Sequence, residues 1–431
     1  MTIEQLYTLY LRSRMVVTDS RKITPGCLFF AFKGETFDGN SFVPQAIAQG
    51  AALCVTTDKQ HQGRPECMVV DDALQTLQQL AAYHRSRLTI PVVGVTGTNG
   101  KTTTKELVHA VLSRRYRTHA TAGNYNNHLG VPLTLLSIPA DAEMAIVEMG
   151  ANHPGEIEAL CRIADPDAGL ITNVGRAHLE GFGSFEGVVR TKTELYRYLA
   201  AKRGLAFVNA DNERLMHESA QLARITYGTA QGADVRGTLV ADGTPTTHFY
   251  FEVGDNVYNV RTHLLGNYNF DNGMAAVAVG LHYGVEPFDI KEAIEHYEPS
   301  NRRSQYKATE RNRLFLDCYN ANPSSMNAAV ESFAALPYPN KIPMLGGMKE
   351  LGQESEQEHR AIVSRLLQGD YAMIVLVGPE FAFAKDMAPR VQWFEDVHAA
   401  ADHFHRHPIQ DATLLLKGSN STRMWLLEPE L

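Results

Sequence analysis

The clearest chemical signal in the sequence is the stretch at residues 96–106, TGTNGKTTTKE. A glycine-rich turn leads directly into Lys101 and Thr102. In such a turn the backbone N–H groups converge on phosphate, the lysine reaches the terminal phosphates, and the threonine hydroxyl ligates magnesium. The common form of this motif has a glycine where Val95 stands. A glycine turn can join a strand to a helix without any ligand, but Gly-Lys-Thr in this setting favours a nucleotide-phosphate site.

Three other polar residues are candidates for the same site. Glu148 ends a predicted strand, where a carboxylate suits Mg²⁺ because this ion prefers oxygen ligands; the alternative is a surface acid. His178 stands in a predicted loop, where a lone histidine is more often structural. Lys192, taken alone, is predicted to be an exposed helix lysine. His178 and Lys192 therefore carry no functional signal without the phosphate turn.

Asparagine is paired with tyrosine in three predicted loops. The segments are 123–127 (GNYNN), 266–269 (GNYN) and 319–323 (YNANP). Turn chemistry explains part of this pattern, because asparagine tolerates the left-handed backbone conformation. The clusters also suit recognition of a polar ligand by uncharged donors and acceptors.

The elements around the phosphate turn predict a mostly parallel sheet. Residues 90–95 form an apolar, β-branched run typical of a buried strand, and Thr104, Leu107, Val108, Val111 and Leu112 recur on one helical face. Strands are predicted at 144–147, 168–172 and 206–209, with an antiparallel hairpin at 248–253 and 256–261. Ligands bind beyond the carboxyl ends of parallel strands. We therefore expect Glu148, Asn173, His178 and the phosphate turn to share one crevice.

Similar alternation occurs on both sides of this region. A capping box at Thr2 and Gln5 opens the first helix, and a small α/β unit is predicted before residue 88. Its Ser20-Arg21 loop could bind an anion, although spacing alone favours an ordinary surface cation. From about residue 300 the alternation starts afresh, with strands at 314–317, 342–345, 373–377 and 413–416 and helices at 324–336, 355–367 and 396–407. This predicts a third α/β domain.

Composition narrows the classes of protein. A chain of 431 residues suits two to four domains, and 44% hydrophobic and 20% charged residues are ordinary for a globular protein. The net charge of −8 gives no electrostatic reason to expect nucleic acid or an anionic membrane as a partner. The five scattered cysteines predict reduced thiols, and neither a signal peptide nor a membrane-spanning run is recognisable. We expect a soluble cytoplasmic protein.

The motifs together resemble the Mur ligase family over nearly the whole chain. Within that family the similarity is to the ligases that add D-alanyl-D-alanine to UDP-N-acetylmuramoyl-tripeptide. The segments that carry it are TGTNGKTTTKE at 96–106, GNYNN and GVPLT at 123–127 and 130–134, EMGANHPGEI at 148–157, TNVGRAHLEGFG at 172–183, YNANP at 319–323 and LKGS at 416–419. A relative that adds a single amino acid, a folylpolyglutamate synthase and a nucleotide-dependent regulatory protein are the alternatives. The GANHPGE and YNANP segments argue against the first two. A regulatory protein would have lost Lys101, Glu148 or His178.

The resemblance implies a fold and a division of roles. It implies three domains: a small UDP-sugar-binding α/β domain at 1–87, a central P-loop ATPase domain with a mostly parallel sheet at 88–299, and a Rossmann-like domain at 300–431 that closes over ATP and binds the amine. The implied cofactors are ATP and two Mg²⁺ ions. The implied substrates are UDP-N-acetylmuramoyl-tripeptide and D-Ala-D-Ala, handled by a monomer that binds neither nucleic acid nor membrane.

The resemblance also implies residue roles. Lys101 and Thr102 hold the ATP phosphates and the first Mg²⁺, Glu148 bridges both ions, and His178 lies on the second. Lys192 matches a lysine that is carbamylated in related ligases; a carbamate offers the oxygens that an ammonium lacks. Arg303 reaches the nucleotide from the third domain and is counted with the catalytic group. The other nucleotide-binding candidates are Gly97, Thr98, Asn99, Gly100, Thr103, Asn272, Asp317, Tyr319 and Asn322. The substrate-binding candidates are Ser20, Arg21, Lys33, Asn124, Asn126 and Asn127, and the first two join Lys33-Gly34-Glu35 in the UDP-sugar region, so Arg21 is no longer an ordinary surface cation.

One segment departs from the family pattern. Residues 346–352 read GGMKELG, where the family has Gly-Asp-Met, so Gly347 replaces an aspartate. Any role of that acid is in question here. The mechanism expected from the resemblance is phosphorylation of the tripeptide carboxylate by ATP, attack of the D-Ala-D-Ala amine on the acyl phosphate, and collapse to peptide, ADP and phosphate. This chemistry needs no protein nucleophile.

Overall fold

The chain folds into three α/β domains, each built around its own sheet, in a computed structural model that describes residues 1–34, 36–299 and 303–431. Glu35, from the stretch expected to bind the UDP-sugar, and Ser300, where the third domain is expected to begin, lie outside the described residues. In the part of the chain that is described, no helix has the length and apolar character needed to cross a membrane.

The first domain contains a four-stranded parallel sheet in the order β1-β2-β3-β4. Thr2 begins the first helix with the expected capping box, in which its side chain accepts from the Gln5 backbone N–H. Asp72 caps the last helix by accepting from the backbone N–H of Gln75. The elements are α1 (Ile3–Ser13), β1 (Val16–Val17), β2 (Leu28–Phe30), α2 (Val43–Ala48), β3 (Leu53–Thr56), β4 (Cys67–Val69) and α3 (Ala73–Arg87).

The second domain is the largest and carries a nine-stranded sheet. Its elements are β5 (Val92–Thr96), α4 (Lys101–Leu112), β6 (Thr118–Ala120), α5 (Gly130–Leu136), β7 (Met144–Glu148), α6 (Glu156–Ala164), β8 (Ala168–Ile171), α7 (Leu179–Phe182), α8 (Phe185–Lys192), α9 (Glu194–Lys202), β9 (Leu205–Asn209), α10 (Glu213–Glu218), β10 (Ala223–Gly228), β11 (Val235–Leu239), β12 (Thr246–Val253), β13 (Asn256–Leu265), α11 (Asn269–His282) and α12 (Pro287–Glu295). The order is β13-β12-β11-β10-β9-β8-β5-β7-β6. Of the described pairings in this sheet, β11–β12 and β12–β13 are antiparallel and the others are parallel, so the sheet is mostly parallel with the expected hairpin at one edge.

The third domain has a six-stranded sheet in the order β14-β15-β19-β16-β17-β18. All described pairings except β14–β15 are parallel; α13, α14 and α15 act as crossover connections, and a segment with a short 3₁₀ helix (Pro379–Ala384) connects β17 to β18. The elements are β14 (Gln305–Ala308), β15 (Arg313–Asp317), α13 (Pro323–Ala334), β16 (Lys341–Gly346), α14 (Ser355–Gln368), β17 (Ile374–Val377), β18 (Val391–Phe394), α15 (Val397–Arg406) and β19 (Thr413–Lys417).

The first and second domains share one hydrophobic core. Leu77 and Leu80 of α3 belong to the same buried cluster as Leu135 of α5 and Leu160 of α6. Arg85 of α3 adds polar contacts across the same boundary, donating to the backbone carbonyls of residues 164 and 165. These two domains therefore pack as one body.

The third domain has its own core, on both faces of its sheet. Two buried clusters cover these faces, and among the described residues only Leu265 from the second domain is a buried member of either cluster. The contacts between the third domain and the rest of the molecule are mainly polar, as described below.

Candidate active site

A cavity of about 800 Å³ opens where the three domains meet at the carboxyl ends of the central strands. The first domain contributes Gln78 to its wall, and the second contributes the phosphate turn together with Glu148, Asn173 and His178. The third domain closes it with a set of polar residues that includes Arg303, Asp317, Tyr319, Asn320 and Lys417. The carboxyl-edge crevice expected from the strand pattern is therefore present.

The phosphate turn contains two glycines that have positive φ angles and leave no room for a side chain. Gly97 has φ +143°, and a Cβ there would lie 2.0 Å from Thr172 Oγ1. Gly100 has φ +77°, and its Cβ would lie 2.5 Å from Asn272 Oδ1. Both positions require glycine because any Cβ would clash with a buried side chain.

The loop after β8 holds the turn in place. Asn173 Oδ1 accepts a hydrogen bond from the backbone N–H of Asn99 at 3.0 Å, and the Thr172 hydroxyl donates to the Asn99 carbonyl at 2.6 Å. The Thr98 hydroxyl accepts from the backbone N–H of Gly175 at 2.9 Å. The turn is thus a preformed cradle at the N-terminus of α4, where the helix dipole favours an anion.

Lys101 opens α4 with its ammonium over the turn. Nζ donates to the carbonyls of Gly97 at 2.9 Å and Thr98 at 3.0 Å. Burial lowers the pKa of Lys101, and the nearby Glu148 carboxylate partly opposes this shift. Among the described residues, the hydrogen bonds of the lysine go to these two backbone carbonyls, which a phosphate could replace. Thr103, in the same first helical turn, is buried and lines the cavity.

Glu148 is buried, so the alternative of a surface acid at the strand end is wrong. Its side chain is 1% exposed, because β7 lies between β5 and β6 and ends inside the cavity. Oε1 accepts from Thr102 Oγ1 at 3.1 Å and Asn126 Nδ2 at 2.8 Å. Oε2 is buried and has no hydrogen-bond partner among the described residues. An unpartnered carboxylate oxygen beside a threonine hydroxyl is the donor set that a hard divalent cation takes.

Lys192 is also buried, and its interpretation as an exposed helix lysine is wrong. It is 2% exposed at the end of α8, where Nζ donates to the Ala151 carbonyl at 3.1 Å and lies 5.2 Å from the centre of the Phe182 ring. Burial, followed by the repulsion of Lys101, lowers the pKa of Lys192 to about 7. A large fraction of this amine is therefore neutral at physiological pH.

His178 stands immediately before α7 with φ +50°, a left-handed conformation unusual for a residue with a side chain. The ring lines the cavity, and Nδ1 contacts the carboxylate of Glu350 from the third domain. Burial lowers the pKa of His178, while Glu350 raises it. Sequence reasoning did not anticipate Glu350, because nothing in GGMKELG pairs it with a histidine 172 positions away.

The third domain faces the phosphate turn with one arginine and one ion pair. The Arg303 guanidinium stacks on the Tyr319 ring, 3.6 Å from its centre, and its Nε has no hydrogen-bond partner in the described part of the chain. Lys417 Nζ pairs with Asp317 Oδ2 at 2.5 Å. The LKGS motif contains Lys417 but does not predict its place in the cavity wall, because its partner Asp317 is 100 positions away in the sequence.

The predicted asparagines divide between the cavity and the scaffold. Asn124, Asn126 and Asn127 all line the cavity, and Asn127 Oδ1 also accepts from the backbone N–H groups of residues 129 and 130. Asn272 Oδ1 accepts from the Thr104 hydroxyl at 2.9 Å beside the phosphate turn. Asn322 caps α13 and bonds to Asn99.

The UDP-sugar candidates lie in the first domain, outside the cavity wall. Arg21 is 87% exposed and pairs with Asp19, whose side chain also caps the short 3₁₀ turn at Ser20–Lys22. The backbone of Lys33 forms an isolated antiparallel β-bridge with that of Asp38. The structure therefore does not bring Ser20, Arg21 or Lys33 together with the phosphate turn.

Comparison with known proteins gives consistent results across the chain. Residues 12–95 match the model of the Mur ligase family catalytic domain, 95–280 the Mur ligase middle domain, and 302–420 the Mur ligase glutamate ligase domain. The chain is 39% identical to the UDP-N-acetylmuramoyl-tripeptide--D-alanyl-D-alanine ligase of Bacillus subtilis, over 80% of the chain and 76% of that protein. It is 34% identical to the protein of the same name from Escherichia coli, over 95% and 91%.

Solved structures agree with the sequence relatives. A crystal structure of MurF from Acinetobacter baumannii superposes with a TM-score of 0.89 at 31% identity, covering 100% of this chain and 98% of that one. MurF from Thermotoga maritima in complex with ADP superposes with a TM-score of 0.86 at 28% identity, covering 97% of each chain.

Proposed function

The chain belongs to the Mur ligase family, and we propose that it uses ATP to join D-alanyl-D-alanine to UDP-N-acetylmuramoyl-tripeptide. The product would be the UDP-linked pentapeptide precursor of peptidoglycan, made in the cytoplasm by a monomeric enzyme that serves cell-wall growth and division. The main support is the similarity to ligases of this name across 80 to 95% of the chain.

The observation that carries the proposal is the composition of the cavity. A phosphate cradle, a buried carboxylate with one oxygen that has no hydrogen-bond partner among the described residues, and a lysine with a lowered pKa lie on or directly behind one wall. Cations from the third domain lie on the opposite wall. Phosphoryl transfer requires positioning and charge stabilisation rather than a protein nucleophile, and this arrangement supplies both.

We propose two magnesium ions, supported by the Glu148 oxygen that has no partner among the described residues and by the Thr102 hydroxyl beside this carboxylate. Thr102 and Glu148 would hold the first, while Glu148, His178 and a carbamylated Lys192 would hold the second. Lys192 suits carbamylation because the neutral amine, which its lowered pKa makes available, is the form that adds to CO₂. When bound, the ions would neutralise the phosphate charge that develops during transfer.

The chain's own residues would perform the remaining work. Lys101, released from its two carbonyl acceptors, and the N–H groups of residues 97–103 would bind the ATP phosphates. Arg303 would reach the nucleotide from the third domain with Asp317, Tyr319 and Asn322 beside it, and Asn272 would contact it from α11. The tripeptide carboxylate would attack the terminal phosphate of ATP, and the amine of D-Ala-D-Ala would then displace phosphate from the acyl phosphate.

We assign the domains as expected from the sequence. Residues 1–87 would bind the UDP-sugar, with Ser20, Arg21 and Lys33 among its contacts; 88–299 would bind ATP; and 300–431 would close the site and bind the amine. Asn124, Asn126 and Asn127, on the cavity side of the second domain, would meet the peptide part of the substrate. Exclusion of water by the third domain would protect the acyl phosphate from hydrolysis.

The decisive experiment is phosphate release from ATP and Mg²⁺ with UDP-N-acetylmuramoyl-tripeptide, varying the amine. We expect turnover with D-Ala-D-Ala and none with D-Ala or with a free diamino acid. Turnover with a single amino acid would place the activity elsewhere in the family. ATP binding without turnover under every combination would contradict the proposal.

A further inference from the structure

The turn at residues 347–350, directly after β16, is held by a different partner at each position. It lies at the carboxyl edge of the third sheet, where β16, β17 and β19 end. The Ser419 hydroxyl donates to the Gly347 carbonyl at 2.8 Å, the Met348 N–H donates to His359 Nε2 at 3.0 Å, the Lys349 ammonium pairs with Glu380, and Glu350 contacts His178. Consecutive residues of one turn therefore connect the interior of the third domain to the cavity wall.

Glu380 occupies the place of a side chain at position 347. The Cβ of a residue there would lie 2.4 Å from Glu380 Oε2, and a Cβ at Gly378 would lie 2.7 Å from the same atom. The carboxylate thus lies across two glycines at the ends of neighbouring strands. An aspartate at 347 and the present position of Glu380 exclude each other, both sterically and by charge.

The family pattern has an acid at 347, and this chain has glycine there. Glu380, which comes from the segment after β17, is mostly buried at 16% exposure. Its Oε1 pairs with Lys349, and its Oε2 has no hydrogen-bond partner among the described residues. A carboxylate is therefore retained at this place in the fold, although another segment supplies it.

His359 anchors the turn that carries Lys349, because it accepts a hydrogen bond from the Met348 N–H. His359 is fully buried, donates from Nδ1 to the Ser355 carbonyl at 2.6 Å, and packs edge-on against Phe381 with ring centres 4.8 Å apart. This fixes the tautomer that accepts from the Met348 N–H. Lys349 is next in the chain, and its side chain remains 45% exposed although its ammonium pairs with Glu380.

A dipeptide spans about 7 Å, so the carboxylate of the amine substrate must bind well outside the point where its amine reacts. Lys349 adjoins Glu350, which contacts His178 at the cavity wall. We propose that Lys349 binds the terminal carboxylate of the dipeptide, and that Glu380 is the positioning residue that replaces the acid at 347. This rests on the proposed function and identifies one of its specificity determinants.

The first test pairs a variant with a substrate that lacks the carboxylate. Wild type, Lys349→Met and the control Lys307→Met are assayed by phosphate release with D-Ala-D-Ala and with its C-terminal amide. Lys307 is a matched control, because it lies in the same domain at 53% exposure and pairs with Glu428. We expect wild type and Lys307→Met to prefer the carboxylate form about tenfold in kcat/KM. Lys349→Met should lose this preference through a higher KM for D-Ala-D-Ala, with the KM for ATP unchanged.

A Lys349→Met enzyme that still preferred D-Ala-D-Ala to the amide would overturn the inference and leave the proposed function intact. No turnover by wild type with D-Ala-D-Ala would instead remove the proposed function, and this inference with it.

The second test transfers the carboxylate from position 380 to position 347. Gly347→Asp alone should raise the KM for D-Ala-D-Ala about tenfold or more, because two carboxylates then compete for one place. Glu380→Ala should raise the same KM, and the double variant Gly347→Asp/Glu380→Ala should recover most of the loss. Thermal unfolding of each variant shows whether the fold is retained. A double variant that retained its fold and was no better than the worse single variant would contradict the exchange, as would a Glu380→Gln enzyme with an unchanged KM for the dipeptide.

Discussion

The side chains of Asn99 and Asn322 hydrogen-bond to each other across the boundary between the second and third domains. Asn322 Nδ2 donates to Asn99 Oδ1 at 2.7 Å, and a weaker reciprocal bond is 3.4 Å long. Asn99 belongs to the phosphate turn, whereas Asn322 begins α13 by accepting from the Ser325 N–H at 2.9 Å. The bond therefore joins the phosphate turn directly to the third domain.

Breaking this bond while keeping the helix cap should impair turnover more than stability. Serine is a good N-cap but is too short to reach Asn99, so Asn322→Ser should lower kcat about tenfold at little cost in melting temperature. Asn322→Ala should also lose about 1 kcal/mol of stability with the cap. Steady-state kinetics and thermal unfolding of both variants separate the two effects. Wild-type turnover by Asn322→Ser would show that the bond plays no part in closure.

Neutralising either charged group of the phosphate site should abolish turnover without unfolding the protein. We expect Lys101→Met and Glu148→Gln each to lower kcat at least about a hundredfold, because they remove charge that acts on the transferring phosphate. Glu148→Gln should be at least as stable as wild type, since it removes a buried, incompletely paired charge. Lys59→Met, at an exposed lysine of the first domain, is the control. Near-normal turnover by either site variant would disprove the assigned roles.

Carbamylation of Lys192 should depend on pH and on CO₂. The pKa of Lys192 is lowered to about 7, so protonation consumes the reactive amine as the pH falls below that value. We expect ¹³C NMR in labelled bicarbonate to show a carbamate signal at about pH 8 that fades by about pH 6. Lys192→Gln should lack the signal and turn over about a hundredfold more slowly. The same signal in the variant would assign it to another amine.

His84 should make the protein less stable in mild acid. It is 1% exposed on the side of α3 that packs against α1, within hydrogen-bonding distance of the Tyr7 and Tyr10 hydroxyls. Burial, with a smaller contribution from Arg14, lowers the pKa of His84 to about 4. Between its ordinary value of about 6.5 and that value only the unfolded chain takes up the proton, so stability falls as the pH falls.

The size of this effect can be isolated by substitution. Wild type should lose about 2 kcal/mol more than His84→Gln when urea unfolding at about pH 7 is compared with unfolding at about pH 4.5. Parallel pH profiles for the two proteins would show that His84 does not titrate in this window.

Much of the fold follows from local patterns in the sequence. The helix predicted at 355–367 is α14 (Ser355–Gln368), and the buried strands β5, β7, β8 and β9 lie where apolar runs predicted them. The short strand β6 at 118–120 and the strands β10, β11, β14 and β18 were not predicted. Each of these strands contains residues that are only partly buried or are exposed, and several lie at or near a sheet edge. Their sequences therefore lack the continuous apolar run that predicts a buried strand.

The site was predictable where one segment supplies its chemistry. The phosphate turn and the carboxyl-edge crevice follow from strand, glycine turn and helix. The burial of Lys192 could not be predicted in this way, because the groups that contact its ammonium, the Phe182 ring and the Ala151 carbonyl, come from other segments. The Glu350–His178 and Lys417–Asp317 contacts likewise join residues 172 and 100 positions apart, and a single sequence holds no local signal of such pairs.

The different natures of the two domain boundaries decide how the product can leave. Separating the first domain from the second would expose apolar side chains of α3, at about 1.5 to 3 kcal/mol each. Withdrawing the third domain would mainly return amides and ion pairs to water, including the bond between Asn99 and Asn322 and the pair between Arg176 and Glu358. Such exchanges cost about 1 kcal/mol or less apiece. We therefore expect each catalytic cycle to end with a reversible outward movement of residues 303–431, while the first and second domains stay packed against each other.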